Sequence, residues 1–240
     1  LPMYPLLCAP DRPMTETQAR EAICRIGQSL FDRRLVHATA GNISVRLDDG
    51  FLITPTDACL GTLDPAQLSR LDTQGQQISG ARASKTLTLH RRIYSAAMKF
   101  DTQTRCVIHT HSTHCVALSL REPAHSGPLG PELLPPITPY FVMKVGHVPC
   151  VPYHRPGDPT VAHIVEDLIL RHGQAGHPIR AVMLARLGPN VWHDSPEQAM
   201  AVLDELEETA HLWQLSPASV LNESQIDELR QQFGARWAHP

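Results

Sequence analysis

After Thr15 the apolar residues Ala22, Ile23, Ile26, Leu30 and Phe31 recur at the spacing of one helical face. Thr15 is placed to cap that helix, with Glu16 in its first turn. The period then drops to two. Ile43, Val45 and Leu47 alternate with Ser44 and Arg46, Asp49-Gly50 marks a turn, and Phe51-Leu52-Ile53 returns, which predicts a hairpin over residues 42–54. Beyond it the pattern predicts a short helical turn from Asp64, strands near 68–72 and 76–79, and a helix over SKTLTLHRRIYSAAMKF with Leu87, His90, Ile93 and Tyr94 on one side. Cys106 to His109 reads as a buried strand that gives way to a helix near Ser112. Residues 122–136 are rich in Pro and Gly and read as a loop; YFVMKVGHVPCVPY reads as two short strands. A helix over 161–171, a strand pair around Gly188, a long helix opened by Ser195-Pro196-Glu197 and a short amphipathic helix near the C-terminus complete the pattern. Short strands joined by hairpins and mixed with helices predict α/β architecture of the α+β kind, with residues 1–14 as an irregular arm and 15–240 as one domain.

Composition narrows the function classes. Of 240 residues, 42% are hydrophobic and 19% charged, as in a globular chain. A formal net charge of −3 leaves no basic footprint for nucleic acid. No apolar run approaches the roughly 20 residues of a membrane span. The opening LPMYPLLCAPDRP lacks the basic start and apolar core of a signal peptide, and the six scattered cysteines form no CxxC, so a cytoplasmic, reduced protein is expected. The fourteen histidines are the chemical signal, because imidazole is the usual ligand of borderline metals.

His109-Thr110-His111 carries that signal furthest. Residues two apart on a strand face one side, so both imidazoles can reach one ion. Gly41-Asn42 ahead of one strand and Thr54-Pro55-Thr56 after the next suggest an anion cradle of backbone N–H groups, hydroxyls and an amide. Ser84-Lys85 at a helix start adds a hydroxyl, a positive charge and helix-terminal amides.

Taken in order, TAGNISVR, FLITPT, SK ahead of His90, VIHTHSTHCVALS and ITPYFVMKVGHVPCVPYHRPGD resemble the class II aldolase/adducin family over roughly residues 15–232. The resemblance implies a three-layer fold with a mainly antiparallel central sheet flanked by helices. It assigns Gly41, Asn42, Thr56 and Ser84 to phosphate binding and His109 and His111 to two of three Zn2+-ligating histidines. Lys85 after Ser84, ACLGTLDPAQLSRLD and TPYFVMKVG are similar to the 3-oxo-tetronate 4-phosphate decarboxylases. Tyr140 falls where the family has a tyrosine that reaches a neighbouring subunit's site, which implies a homotetramer with sites between subunits. The implied activity is metal-dependent decarboxylation of a 3-oxo-tetronate 4-phosphate to dihydroxyacetone phosphate and carbon dioxide through an enediolate held on zinc.

Three positions depart from the family pattern. Thr86 stands where the general base is expected, Leu187 where the third zinc histidine is expected, and Asp57 where a glycine follows the cradle threonine. An aldolase needs that base to take a hydroxyl proton, whereas a β-keto acid already carries its charge, so Thr86 favours decarboxylation. The alternative is a non-catalytic member kept for binding or assembly. His147 and His154 are the candidates to complete the metal site; His193 lies too far along its strand.

Overall fold

The structure, a computed structural model, describes residues 14–123, 125–216 and 219–240. The arm expected over 1–14 lies outside the described residues except for Met14. Helix α1 (Glu16–Asp32) is opened by a capping box in which Thr15 and Gln18 satisfy each other's backbone N–H, and it buries Ala19, Ile23, Ile26 and Leu30. Strands β1 (Asn42–Leu47) and β2 (Gly50–Ile53) form the expected hairpin, followed by β3 (Ser69–Leu71) and β4 (Gln77–Ser79). Helix α2 (Leu87–Ala97) leads to β5 (Cys106–His109) and α3 (Thr113–Ser119). After the hairpin β6 (His125–Gly127) and β7 (Gly130–Glu132) come β8 (Cys150–Val151), α4 (Pro159–Gln174), β9 (Ala181–Leu184), β10 (Gly188–His193), α5 (Pro196–Leu215) and α6 (Glu223–Phe233).

Eight strands form one sheet in the order β4-β3-β2-β1-β5-β10-β9-β8, antiparallel throughout except where β8 meets β9. Alternation along the central strands sends residues to two different layers. Ile43, Val45, Cys106, Ile108 and Val191 pack with α1 and α5, whereas Val107, Val182 and Trp192 pack with residues of α2 and α4. The α/β layers expected from the sequence, a mainly antiparallel sheet between helices, are therefore the ones the chain adopts. Among the described residues no helix is long and apolar enough to cross a membrane, and the five described cysteines are free.

Two local expectations are corrected. Residues 122–136 are not a plain loop, since β6 and β7 pair there across Gly130. Phe141–Val145 is a π-helical turn rather than a strand: Thr138 Oγ1 accepts from Phe141 N–H, and Gly146, at φ 80°, ends the turn. The Glu207 carboxylate accepts from the N–H groups of His114 and Cys115 at 2.8 and 3.1 Å and caps α3; burial opposes its charge, but those bonds hold its pKa below the usual carboxylate value.

Candidate active site

Register places the site at one end of the three central strands. His109 is the Cα partner of Asn42 on β1 and of Asn190 on β10, so the three side chains share one face, the one covered by α2 and α4. Gly41 is obligatory at the entry to β1. It has φ +85°, and a Cβ there would lie 2.9 Å from the His109 carbonyl and 2.8 Å from Val36. Gly188 at the entry to β10 is as constrained, since its Cβ would fall 1.8 Å from the Thr110 carbonyl.

The His109 ring is buried and donates through Nδ1 to the Pro189 carbonyl at 2.9 Å, which leaves Nε2 as its lone-pair nitrogen. Burial, followed by the neighbouring His111, lowers its pKa to about 3, so it is neutral at pH 7. The His111 ring lies 5.1 Å from that of His109, and its pKa is lowered by burial and by His37, whose ring is 6.1 Å away. Beneath them His90 is fully buried, its Nδ1 2.7 Å from Ser44 Oγ, which in turn meets Tyr94 Oη at 2.8 Å. Burial drives the His90 pKa to about 3 and the Tyr94 pKa well above its ordinary value. Asn42 Oδ1, His90 Nε2 and both polar atoms of Asn190 are buried without a hydrogen-bond partner among the described residues.

A cavity of about 390 Å³ opens onto this floor, lined by Lys85, Thr86, His109, Arg155, Leu187 and Asn190 among others. The first residues of both α2 and α4 border it; the α4 terminus is capped by the Asp158 carboxylate, which accepts from Thr160 N–H at 2.9 Å and also lines the cavity, whereas the α2 terminus has no side-chain cap. Thr86 begins α2 with its hydroxyl 2.8 Å from that of Ser84. Ser84 N–H donates to the Thr54 carbonyl at 3.3 Å and Thr56 N–H to the Arg82 carbonyl at 2.9 Å, so the segments carrying Thr56 and Ser84 run side by side. Asp57 stands in left-handed backbone at φ 57°, a conformation that costs glycine nothing.

The structure thus brings Lys85, Thr86 and His109 into one cavity and sets Asn42 and His111 beside His109. Tyr140 stands apart, 62% exposed and away from this cavity wall. Of the candidate replacements for the third imidazole, His154 borders the cavity. His147 does not, because it is buried against Glu132 and stacked on Trp237 with ring centroids 3.9 Å apart. Two residues escaped the sequence reading. Asn190 had a weak signal, as a polar side chain on the same strand face as Trp192. The proximity of His37 to His111 had none, being set by tertiary folding of the loop before Gly41.

The donor set suits a divalent cation in part. His109 and His111 offer two imidazoles, the first with its tautomer fixed by a backbone carbonyl, one fewer than the three protein ligands usual in a catalytic metal site. Leu187 contributes only an apolar side chain. Among the described residues the one trio of histidine, cysteine or acidic groups close enough to share an ion is Glu223, Asp227 and His239, which is not at this site.

Residues 21–214 match the Class II Aldolase and Adducin N-terminal domain, a family that is generally divalent-metal dependent. The chain is 49% identical over 231 residues to a 3-oxo-tetronate 4-phosphate decarboxylase of Cupriavidus necator, covering 93% of this chain and 99% of that protein. It is 37% identical over 224 residues to the Escherichia coli K12 protein of the same name, covering 92% and 99%. The crystal structure of YgbL from Klebsiella pneumoniae superposes with a TM-score of 0.79 at 39% identity, covering 90% of this chain and all of that one. L-fuculose-1-phosphate aldolase from Thermus thermophilus superposes at 0.65 with 26% identity, covering 84% and 98%. Likeness of this extent makes the chain a carbon–carbon lyase, and it belongs to the class II aldolase and adducin family.

Proposed function

We propose that this chain is a divalent-metal-dependent decarboxylase that converts a 3-oxo-tetronate 4-phosphate to dihydroxyacetone phosphate and carbon dioxide. The observation that carries the reading is the cavity itself, with a neutral imidazole at its floor, cationic Lys85 and Arg155 in its wall, and Thr86 in place of a base. The substrate carries negative charge at both ends. Gly41, Asn42, Thr56, Ser84 and Lys85 take the phosphate through backbone N–H groups, hydroxyls and an ammonium, aided by the N-terminus of α2. Arg155 takes the carboxylate from the α4 side.

When bound at His109 and His111, a divalent cation, with Zn2+ as the first candidate, supplies positive charge opposite the C3 oxygen. The C1–C2 bond breaks, carbon dioxide leaves, and the bonding pair moves into the C2–C3 enediolate. No oxygen-bound proton has to be removed first, so the Thr86 hydroxyl suffices where an aldolase would need a carboxylate. This hydroxyl, within the cavity wall, is hydrogen-bonded to that of Ser84 at 2.8 Å. Protonation of C2 completes the reaction. Tyr140, too exposed to serve its own cavity, serves that of a neighbouring copy, which requires a homo-oligomer with sites between subunits.

The test is to incubate the metal-loaded protein with 3-oxo-tetronate 4-phosphates of both C2 configurations and follow dihydroxyacetone phosphate enzymatically. Equimolar carbon dioxide and dihydroxyacetone phosphate are expected. Aldol cleavage of L-fuculose 1-phosphate without any decarboxylation would overturn the reading.

A further inference from the structure

Strand β10 carries an amide that the reaction described above does not use. Asn190 is 0% exposed, yet neither Oδ1 nor Nδ2 has a partner among the described residues. Native interiors leave few such groups unpaired, because a buried amide has lost water and gained nothing. Its neighbours explain why it cannot satisfy itself. Leu184 and Leu187, which share its cavity wall, are apolar and offer it no partner. Pairing across β5 and β10 sets the Asn190 side chain beside that of His109 on one sheet face, and both line the cavity.

An amide presents a donor and an acceptor side by side. An α-hydroxy ketone presents the complementary pair, a carbonyl oxygen and an adjacent hydroxyl. We propose that Asn190 binds the reacting end of the substrate, with Nδ2–H donating to the C3 oxygen and Oδ1 accepting from the C2 hydroxyl. The proposal rests on the decarboxylase reading for the identity of that hydroxy ketone. As carbon dioxide leaves, negative charge grows on the C3 oxygen, and the Nδ2–H bond becomes charge-assisted at that moment. Because an apolar Leu187 faces the same space, Asn190 is the protein's uncharged hydrogen-bonding group for that oxygen on β10.

Asn190→Leu and Asn190→Ala separate this role from a structural one. A group unpaired in the free protein stabilises nothing, so Asn190→Leu is expected to keep or raise the melting temperature and to leave the zinc content per chain unchanged. Wild-type protein is expected to be stabilised by dihydroxyacetone phosphate and by inorganic phosphate. In both variants the dihydroxyacetone phosphate shift should fall by at least half while the phosphate shift persists, and kcat/KM should drop on the order of 10- to 100-fold. A lowered melting temperature in Asn190→Leu with the dihydroxyacetone phosphate shift intact would make Asn190 a structural residue and overturn the proposal. Loss of the phosphate shift as well would mean collapse of the cavity and would also overturn it. Wild-type protein that does not decarboxylate but shows an Asn190-dependent shift would remove the decarboxylase reading and leave Asn190 as a ligand group. No shift of wild-type protein by dihydroxyacetone phosphate would remove both.

Discussion

Lowering the pH should loosen this protein through histidines that lie outside the proposed site, and His172 allows the effect to be sized. His172 and His177 are buried with their Nδ1 atoms 3.0 Å apart, and the His147 ring lies 5.9 and 5.1 Å from theirs. His147 donates through Nδ1 to the buried Glu132 and accepts at Nε2 from Ala238 N–H at 3.0 Å, which ties the C-terminal segment to this cluster. Burial, then His177, His147 and Arg171, lowers the His172 pKa from 6.5 to about 3. The folded state therefore keeps His172 neutral where the unfolded chain takes up a proton. The sign follows: the contribution is fully present above pH 6.5 and is lost as pH falls from 6.5 toward 3.

Between pH 7 and pH 5 the unfolded state gains about 2 kcal/mol from this one group, at roughly 1.4 kcal/mol per unit below pH 6.5. For a chain of this size that is a fall of roughly 4–8 °C in melting temperature. Urea unfolding followed by tryptophan fluorescence at the two pH values, on wild-type protein and His172→Gln, isolates the effect. The variant keeps a polar group opposite His177 but cannot titrate. Its stability should fall between pH 7 and pH 5 by about 2 kcal/mol less than that of wild type. Parallel losses in the two proteins would show that His172 is protonated in the folded state at pH 5 and would refute the reasoning.

Other substitutions test the site. Asp57→Gly removes a carboxylate next to Thr56, so inorganic phosphate should bind more tightly, with little change in stability because Asp tolerates left-handed backbone and glycine costs the unfolded chain's extra entropy; phosphate titration and unfolding check both. Leu187→His offers a third imidazole at the cavity wall and should raise zinc affinity on the order of a hundredfold, if roughly 10–16 kcal/mol is shared among four ligands; competition with a chromogenic chelator reads it directly. Tyr140→Phe should lower kcat roughly a hundredfold while leaving zinc content per chain unchanged. A normal kcat in Tyr140→Phe would place the C2 proton donor elsewhere.

The outer frame of the fold was legible because its signals are local. The Thr15–Gln18 capping box, the spacing of Ile23, Ile26 and Leu30, and the alternation of Ile43, Val45 and Leu47 each express a period within a few residues. Phe141–Val145 was misread as a strand because five residues with Phe141, Val142 and Val145 all buried fit neither period; the turn is decided by Thr138 and Gly146 at its ends. The hairpin β6–β7 was hidden by Pro131, which edge pairing tolerates. At the site, His109 and His111 were legible as a period-two pair. The row Asn42–His109–Asn190 was not, because it joins three strands whose order in the sheet the chain does not spell out.

The two departures at Thr86 and Leu187 are not independent in space. Both residues line the same cavity as His109. An aldolase of this fold asks two things of that wall, a base for a hydroxyl proton and a full set of imidazoles to hold a strongly polarising ion. Decarboxylation of a β-keto acid asks for neither at full strength, because the leaving carboxylate brings its own electron pair and the ketone beside it is already the electron sink. What it does require is charge stabilisation at the C3 oxygen while the carboxylate sheds its charge. On the proposed reading Arg155 holds that carboxylate until it leaves, and the unpaired amide of Asn190 is the neutral group that meets the oxygen. A wall that has exchanged a base and an imidazole for a hydroxyl and an isobutyl group is poorly suited to aldol chemistry, and it costs a decarboxylase comparatively little. Restoring both groups in one protein, Thr86→Glu with Leu187→His, should therefore tighten zinc without raising decarboxylation in proportion; a matching rise in both would mean that the ion alone limits the reaction and that the shape of this wall does not.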